Sequence, residues 1–288
     1  MEKLKKMNQA VSKQDSENIG VTNPMDSFGW TVESATFPIF IKLLHFEEYR
    51  ERVLLGLIVS VGGLTERLVI QSSQALYSEL QKWDELSVAS KECQSEGKFT
   101  SETDLKIFCD TLRHIFEKNQ RVDRITVPLF KFTERLIISG HLDPILLDEQ
   151  SKFAFELFSL IKKEVCGGAG AAPCSDPNKI MSAADVLCAL LPAEESTARQ
   201  KCMVQLSIFL CHKYPRIRKS TATKLFEALQ INPHLIEDEN DDKLEEIDKI
   251  LGQTTWDITP VDQLRPLRNK LCELLGVPPP ALVKKPVL

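Results

Sequence analysis

Lys213-Tyr-Pro-Arg-Ile-Arg-Lys-Ser-Thr-Ala-Thr-Lys-Leu225 reads as a helix with a defined start and two distinct faces. Pro215 suits the first turn, where an amide hydrogen has no partner within the helix and its loss costs nothing. Ile217, Thr221 and Leu225 recur every four residues and turn to one side. Ala222 beside them leaves room for a neighbouring helix. Lys213, Arg216, Arg218, Lys219 and Lys224 surround this face as a basic patch.

The same kind of segment recurs in both directions along the chain. Upstream, the apolar spacing predicts helices over 31–46 (interrupted by Pro38), 47–61, 65–83, 101–119 and a stretch around Ile125, Leu129, Phe132 and Leu136, then 148–165. Gly62-Gly63 is expected to close the second in a left-handed cap. Ser101, with Asp104 three residues on, resembles a capping box. Gly140 ends the fifth. From Lys179 onward the pattern predicts helices over 179–191, 194–213, 215–229, 235–252 and 260–275. No stretch alternates clearly as a strand would. Two helices and their turns take about 35–45 residues, close to the roughly 40–47 of HEAT and armadillo units. Lys213–Leu225 itself resembles the second helix of a HEAT repeat, in which Arg218 matches a position that often packs units together. The expected fold is all-α, a HEAT/armadillo-like helical-repeat solenoid. It is expected to occupy 28–276, with loops near 87–100 and 167–177, a disordered segment over 1–27 and a Pro-rich extended tail over 277–288.

Composition limits the function classes. Of the 288 residues 43% are hydrophobic and 27% charged, ordinary for a globular chain, and the formal net charge of -5 gives no hint of nucleic acid. The longest apolar run, Val53–Leu64, falls short of the roughly 20 residues a bilayer needs, so no membrane insertion is expected. The eight cysteines include no C-x-x-C pair, and the N-terminus carries no apolar signal core. They read as reduced, mostly buried small apolar residues of a cytosolic chain. No zinc ligand spacing occurs among His45, His114, His141, His212 and His234. Gly167-Gly-Ala-Gly-Ala-Ala172 loosely echoes a phosphate loop, but it follows a helix and lacks the lysine of a nucleotide site. No catalytic residue, metal or cofactor is therefore expected.

Two charge patterns remain, the basic patch and an acidic run, Glu237-Asp-Glu-Asn-Asp-Asp242 with Glu245, Glu246 and Asp248. Such runs commonly form solvated helix faces. The alternative is a basic ridge that meets an acidic protein partner. Base stacking would need aromatic side chains beyond Tyr214.

Three stretches carry a more specific signal. They are Val53-Leu-Leu-Gly-Leu-Ile-Val-Ser-Val-Gly-Gly-Leu-Thr-Glu66 with Gln71-Ser-Ser-Gln-Ala-Leu76; Val127-Pro-Leu-Phe-Lys-Phe-Thr-Glu-Arg-Leu136 with Ser139-Gly-His-Leu142; and Thr255-Trp-Asp257 with Leu267-Arg-Asn-Lys-Leu-Cys-Glu-Leu-Leu-Gly-Val-Pro278 and Pro280. From about Phe28 to the end the chain resembles the C-terminal region of the tubulin-folding cofactor D family. That resemblance implies a scaffold, not an enzyme. Its implied partners are β-tubulin, cofactors E and C and an Arf-like small GTPase. Its implied work is αβ-tubulin assembly with indirect stimulation of tubulin GTP hydrolysis. Its implied place is the cytoplasm, at microtubules or the centrosome. Family members are several-fold longer, so the apolar side of 31–46 is expected to be uncovered in this chain. Trp256, Asp257, Arg268 and Asn269 match the family signature. With Arg216, Arg218 and Lys219 of the basic patch they form the candidate partner-binding set. A general HEAT adaptor unrelated to tubulin is the competing reading, resting on Lys213–Leu225 alone. An enzyme would need a cleft of convergent titratable groups, which the sequence does not display.

Overall fold

Pro215 stands at the first turn of its helix, and Ile217, Thr221, Ala222 and Leu225 are all buried. The computed structural model describes residues 33–63, 65–92, 102–167, 172–236 and 241–280. Its helices are α1 Glu33–Lys42, α2 Glu47–Val61, α3 Glu66–Glu92, α4 Glu102–Lys118, α5 Asp123–Ile138 and the short α6 Asp143–Leu146. They continue as α7 Phe153–Cys166, α8 Pro177–Ala189, α9 Ser196–Phe209, α10 Pro215–Ile231, α11 Asp241–Asp248 and α12 Val261–Leu274. A π-helical turn, Lys249–Gln253, extends α11. Among the described residues there is no strand.

Contacts between helices sort them into two layers. One runs α2, α5, α8, α10 and the π turn; the other runs α4, α7, α9 and α12. Each helix of a layer packs on the next, and α7–α8, α9–α10 and α11–α12 pair across the layers. This is an all-α helical-repeat solenoid. The buried side chains form one continuous core along it. Phe108 and Phe116 of α4 and Phe130 and Phe132 of α5 are the bulkiest of its fully buried side chains. α1 and α3 pack together at the N-terminal end, where α3 also meets α2 and α4.

An ionic cluster around the buried Lys179 and Glu164 ties three helices. Lys179 of α8 ion-pairs with Glu164 of α7 and, at 2.7 Å, with Asp123 of α5. Glu164 also accepts the Arg121 amide at 2.8 Å, and Arg121 turns the chain between α4 and α5 with φ 67°. The left-handed conformation is uncommon for a non-glycine residue, and the buried carboxylate holds it.

Several boundaries differ from the sequence reading, each for a physical reason. Gly62 is not left-handed; its φ is -82°. A Cβ there would lie 1.9 Å from the Pro128 carbonyl oxygen, so the glycine serves the close approach of α5 to α2. Gly140, at φ 76°, does hold the left-handed conformation after α5. α3 runs through 87–92, where a loop was expected: Ser87-Val-Ala-Ser-Lys-Glu92 is polar but contains neither Gly nor Pro to stop a helix. α7 begins at Phe153, not at 148. Asp148 accepts the Gln150 amide at 3.0 Å and Ser151 accepts the Phe153 amide at 3.3 Å, local bonds that compete with a helix. The expected 167–177 loop is shorter, because Pro177 already opens α8 under an Asp176 cap. The expected helix 235–252 does not begin at 235, where a 3-10 turn, Pro233–Leu235, ends with Ile236 extended; helix is described from Asp241, passing into the π turn. The disordered segment expected over 1–27, the Ser101 cap, Cys93, residues 237–240 of the acidic run and 281–288 of the tail lie outside the described residues.

Candidate partner-binding surface

The turn between the π helix and α12 is organised by one side chain. Arg218 is buried on α10 and gives its guanidinium hydrogens to four carbonyls: Trp256 at 2.6 Å, His212 at 3.1 Å, Asp257 at 3.1 Å and Thr259 at 3.4 Å. The fixed fork of donors suits such convergent acceptors, which a lysine could not satisfy together. Trp256 is buried as well, and its indole N–H donates to the Leu251 carbonyl at 3.2 Å. Arg218 and Trp256 thus hold the repeat together, as the HEAT-like position of Arg218 suggested.

Around this buried staple lie exposed groups. Lys219, one residue on from Arg218, points outward and donates to Asp257 at 3.0 Å. That hydrogen bond holds the Asp257 carboxyl below its ordinary value. Arg216 is exposed on the first turn of α10, and Ile258 beside Asp257 is 79% exposed. Lys213 lies over the Tyr214 ring at 4.9 Å. The first turn of α10 contains no acidic residue of its own, so the helix dipole and Arg216 add there, while Asp257 offsets the charge of Lys219.

Arg268 and Asn269 lie on α12. Arg268 is buried and donates to the Asn269 side-chain oxygen at 2.8 Å. Arg268, Arg265 and Arg218 all act on the half-buried Cys211 thiol, against the burial that raises it. The fold therefore gathers both groups of candidate residues around the α9–α10 turn. Within the set, Arg216 and Lys219 are exposed and Asp257 is half-buried. Arg218, Trp256 and Arg268 face inward, and Asn269 is half-buried. Ile258 escaped sequence analysis because a single apolar residue in a turn has no periodic signal.

The acidic run is largely occupied within the chain where it is described. Glu245 pairs with Lys249, Glu246 with Lys270, and Asp248 accepts from Gln230 at 2.8 Å. Asp242 remains exposed. The histidines are dispersed. His212 accepts the Tyr214 amide at 3.2 Å, and burial with Lys213 and Arg218 lowers its pKa. His141 packs on Tyr77 at 4.7 Å, and His45 bonds Glu79 at 3.2 Å. Among the described residues no group of three or more His, Cys, Asp or Glu could hold a metal, and no helix is long and apolar enough to cross a membrane. Of the cysteines read as buried in helices, Cys109, Cys188, Cys202 and Cys272 are so, while Cys211 is only half-buried; outside that group Cys174 is half-buried and Cys166 exposed.

No solved structure matches the chain. The family model described as tubulin folding cofactor D C terminal matches residues 1–170. That span holds the first two signature stretches and ends before the Arg218–Trp256 staple. The match covers more than half of the 288 residues, and the chain belongs to the tubulin folding cofactor D C-terminal family.

Proposed function

We propose that this chain is a protein-binding scaffold of the tubulin-folding pathway. It binds β-tubulin and works with cofactors E and C and an Arf-like small GTPase during αβ-tubulin assembly, in the cytoplasm and at microtubules or the centrosome. It stimulates tubulin GTP hydrolysis indirectly, by holding partners rather than by contributing a reacting group. The family match carries this reading. A solenoid of stacked helices supports it, since such folds present long continuous faces to partners. The ridge of Arg216 and Lys219 supplies a face suited to an acidic protein surface.

Fluorescence anisotropy of labelled αβ-tubulin, titrated with the chain, tests the reading. The double variant Arg216→Glu, Lys219→Glu should bind about tenfold more weakly at low salt, roughly 1.4 kcal/mol, and the difference should shrink as salt screens the ridge. Equal binding by both proteins would remove the ridge from the contact. Absence of binding by the unaltered chain would remove tubulin.

A further inference from the structure

Four charged side chains are buried among the described residues: Glu164, Lys179, Arg218 and Arg268. Three of them have partners that answer their charge. Glu164 and Lys179 pair with each other, and Arg218 gives its hydrogens to four carbonyls. Arg268 departs from this pattern. It is only 5% exposed, yet it makes a single hydrogen bond, from Nε to the side-chain oxygen of its neighbour Asn269. Among the described residues no carboxylate lies within ion-pair distance of it, and its two terminal nitrogens donate to nothing. Neither nitrogen is sealed from solvent. Taking a charge out of water without a counter-charge is costly, and a guanidinium with free terminal nitrogens is the fork that grips a carboxylate.

The surroundings indicate what fits. Arg268 stands on α12, which packs on α9. Arg268, Arg265 and Arg218 all act on the thiol of Cys211, just past α9, and Arg268 acts as well on Cys272, one turn further along α12. Three guanidinium groups therefore share one neighbourhood. Arg265 is answered by Asp262 at 2.7 Å. Arg218 is held by carbonyl dipoles, which carry no net charge, and all its nitrogens are engaged. Arg268 alone of the three keeps both terminal nitrogens free. One planar carboxylate satisfies one such fork bidentately. The further oxygens of a phosphate would call on Arg218 and Arg265, whose hydrogens already go to carbonyls and to Asp262.

We propose that Arg268 is a docking point for a single carboxylate, the side chain of an aspartate or glutamate in an acidic segment of a partner protein, received at the seam between α9 and α12. Arg216 and Lys219, exposed near the same α9–α10 turn, attract the remaining charges of such a segment, and Arg268 supplies the geometry. That a protein brings the carboxylate rests on the scaffold reading. That a carboxylate fits rests on Arg268 alone.

The test uses the full chain and reads the alkylation rate of Cys211 by iodoacetamide, resolved from the other cysteines by mass spectrometry. The thiol lies in the field of Arg268, so a carboxylate on that guanidinium lowers the reactive thiolate fraction and covers the approach. A hexaglutamate peptide at low salt should slow alkylation at least threefold. Hexaglutamine should leave the rate unchanged, and inorganic phosphate at equal charge should protect less. Against its own baseline rate, Arg268→Met should show no protection. Its thermal midpoint should hold or rise, because an uncompensated buried charge has gone, whereas a structural role for Arg268 would lower it. Arg268→Lys, which keeps the charge and loses the fork, should retain only a minor part of the protection. Protection by hexaglutamate but not by αβ-tubulin would uphold the site and overturn tubulin as its partner. An unprotected Cys211, equal protection in Arg268→Met, or stronger protection by phosphate would overturn the inference.

Discussion

Arg218 shows how a residue on a basic patch can be wholly structural. Its charge sits among four carbonyl oxygens rather than in water. Arg218→Ala would leave those acceptors buried, and hydrogen bonds to charged groups contribute about 1.5–3 kcal/mol each. The loss should appear as a lower urea midpoint with the helical signal retained below it. Arg218→Lys should recover only part, since one ammonium cannot reach the same fork. A pair of carboxylates behaves in the opposite sense. Glu134 of α5 and Asp185 of α8 both have raised pKa values, from burial first; Asp185 further raises Glu134, and Lys224 pulls both down. A carboxyl whose folded pKa exceeds its unfolded one lowers stability while ionised; that penalty begins to shrink as pH falls through the folded value and is gone below the unfolded one. Asp185→Asn should therefore raise the thermal midpoint at pH 7. Its advantage should narrow as the pH drops from neutrality into the ordinary carboxylate range. An advantage independent of pH would contradict the assignment.

Among helices, legibility followed the physics of each signal. α2 was read to its ends, Glu47 and Val61, because apolar spacing and Gly62 mark both its face and its stop. α10 was read from its proline. The continuation of α3 to Glu92 was not legible, because a polar stretch without periodic apolar residues reads in sequence like a loop. The role of Gly62 was misassigned for a similar reason: a glycine required by a distant carbonyl looks the same in sequence as one required by φ. Nor could spacing reveal that Lys179, Glu164 and Asp123, from three separate helices, would meet. That cluster makes a prediction about how helices are joined. Lys179→Met removes the cation while leaving Glu164 buried, and breaking such a pair costs about 3–5 kcal/mol. Hydrogen exchange should then rise first at the α4–α5 turn, which Glu164 holds through the Arg121 amide. Uniform destabilisation without that local increase would refute the link.

For the molecule as a whole, the repeat class was legible because periodicity is written into every helix, and the family was legible in short stretches with fixed order. The candidate surface was only half legible. Sequence analysis gathered Arg216, Lys219, Asp257 and Trp256 into one set, but burial divides it, with Trp256 and Arg218 inside and Arg216 and Lys219 outside. The most direct measurement is size-exclusion chromatography of the full chain mixed with αβ-tubulin, at low and moderate salt. Co-elution that weakens as salt rises is the predicted result. Separate elution at both salt concentrations, by a chain shown to be folded and helical, would contradict the scaffold account.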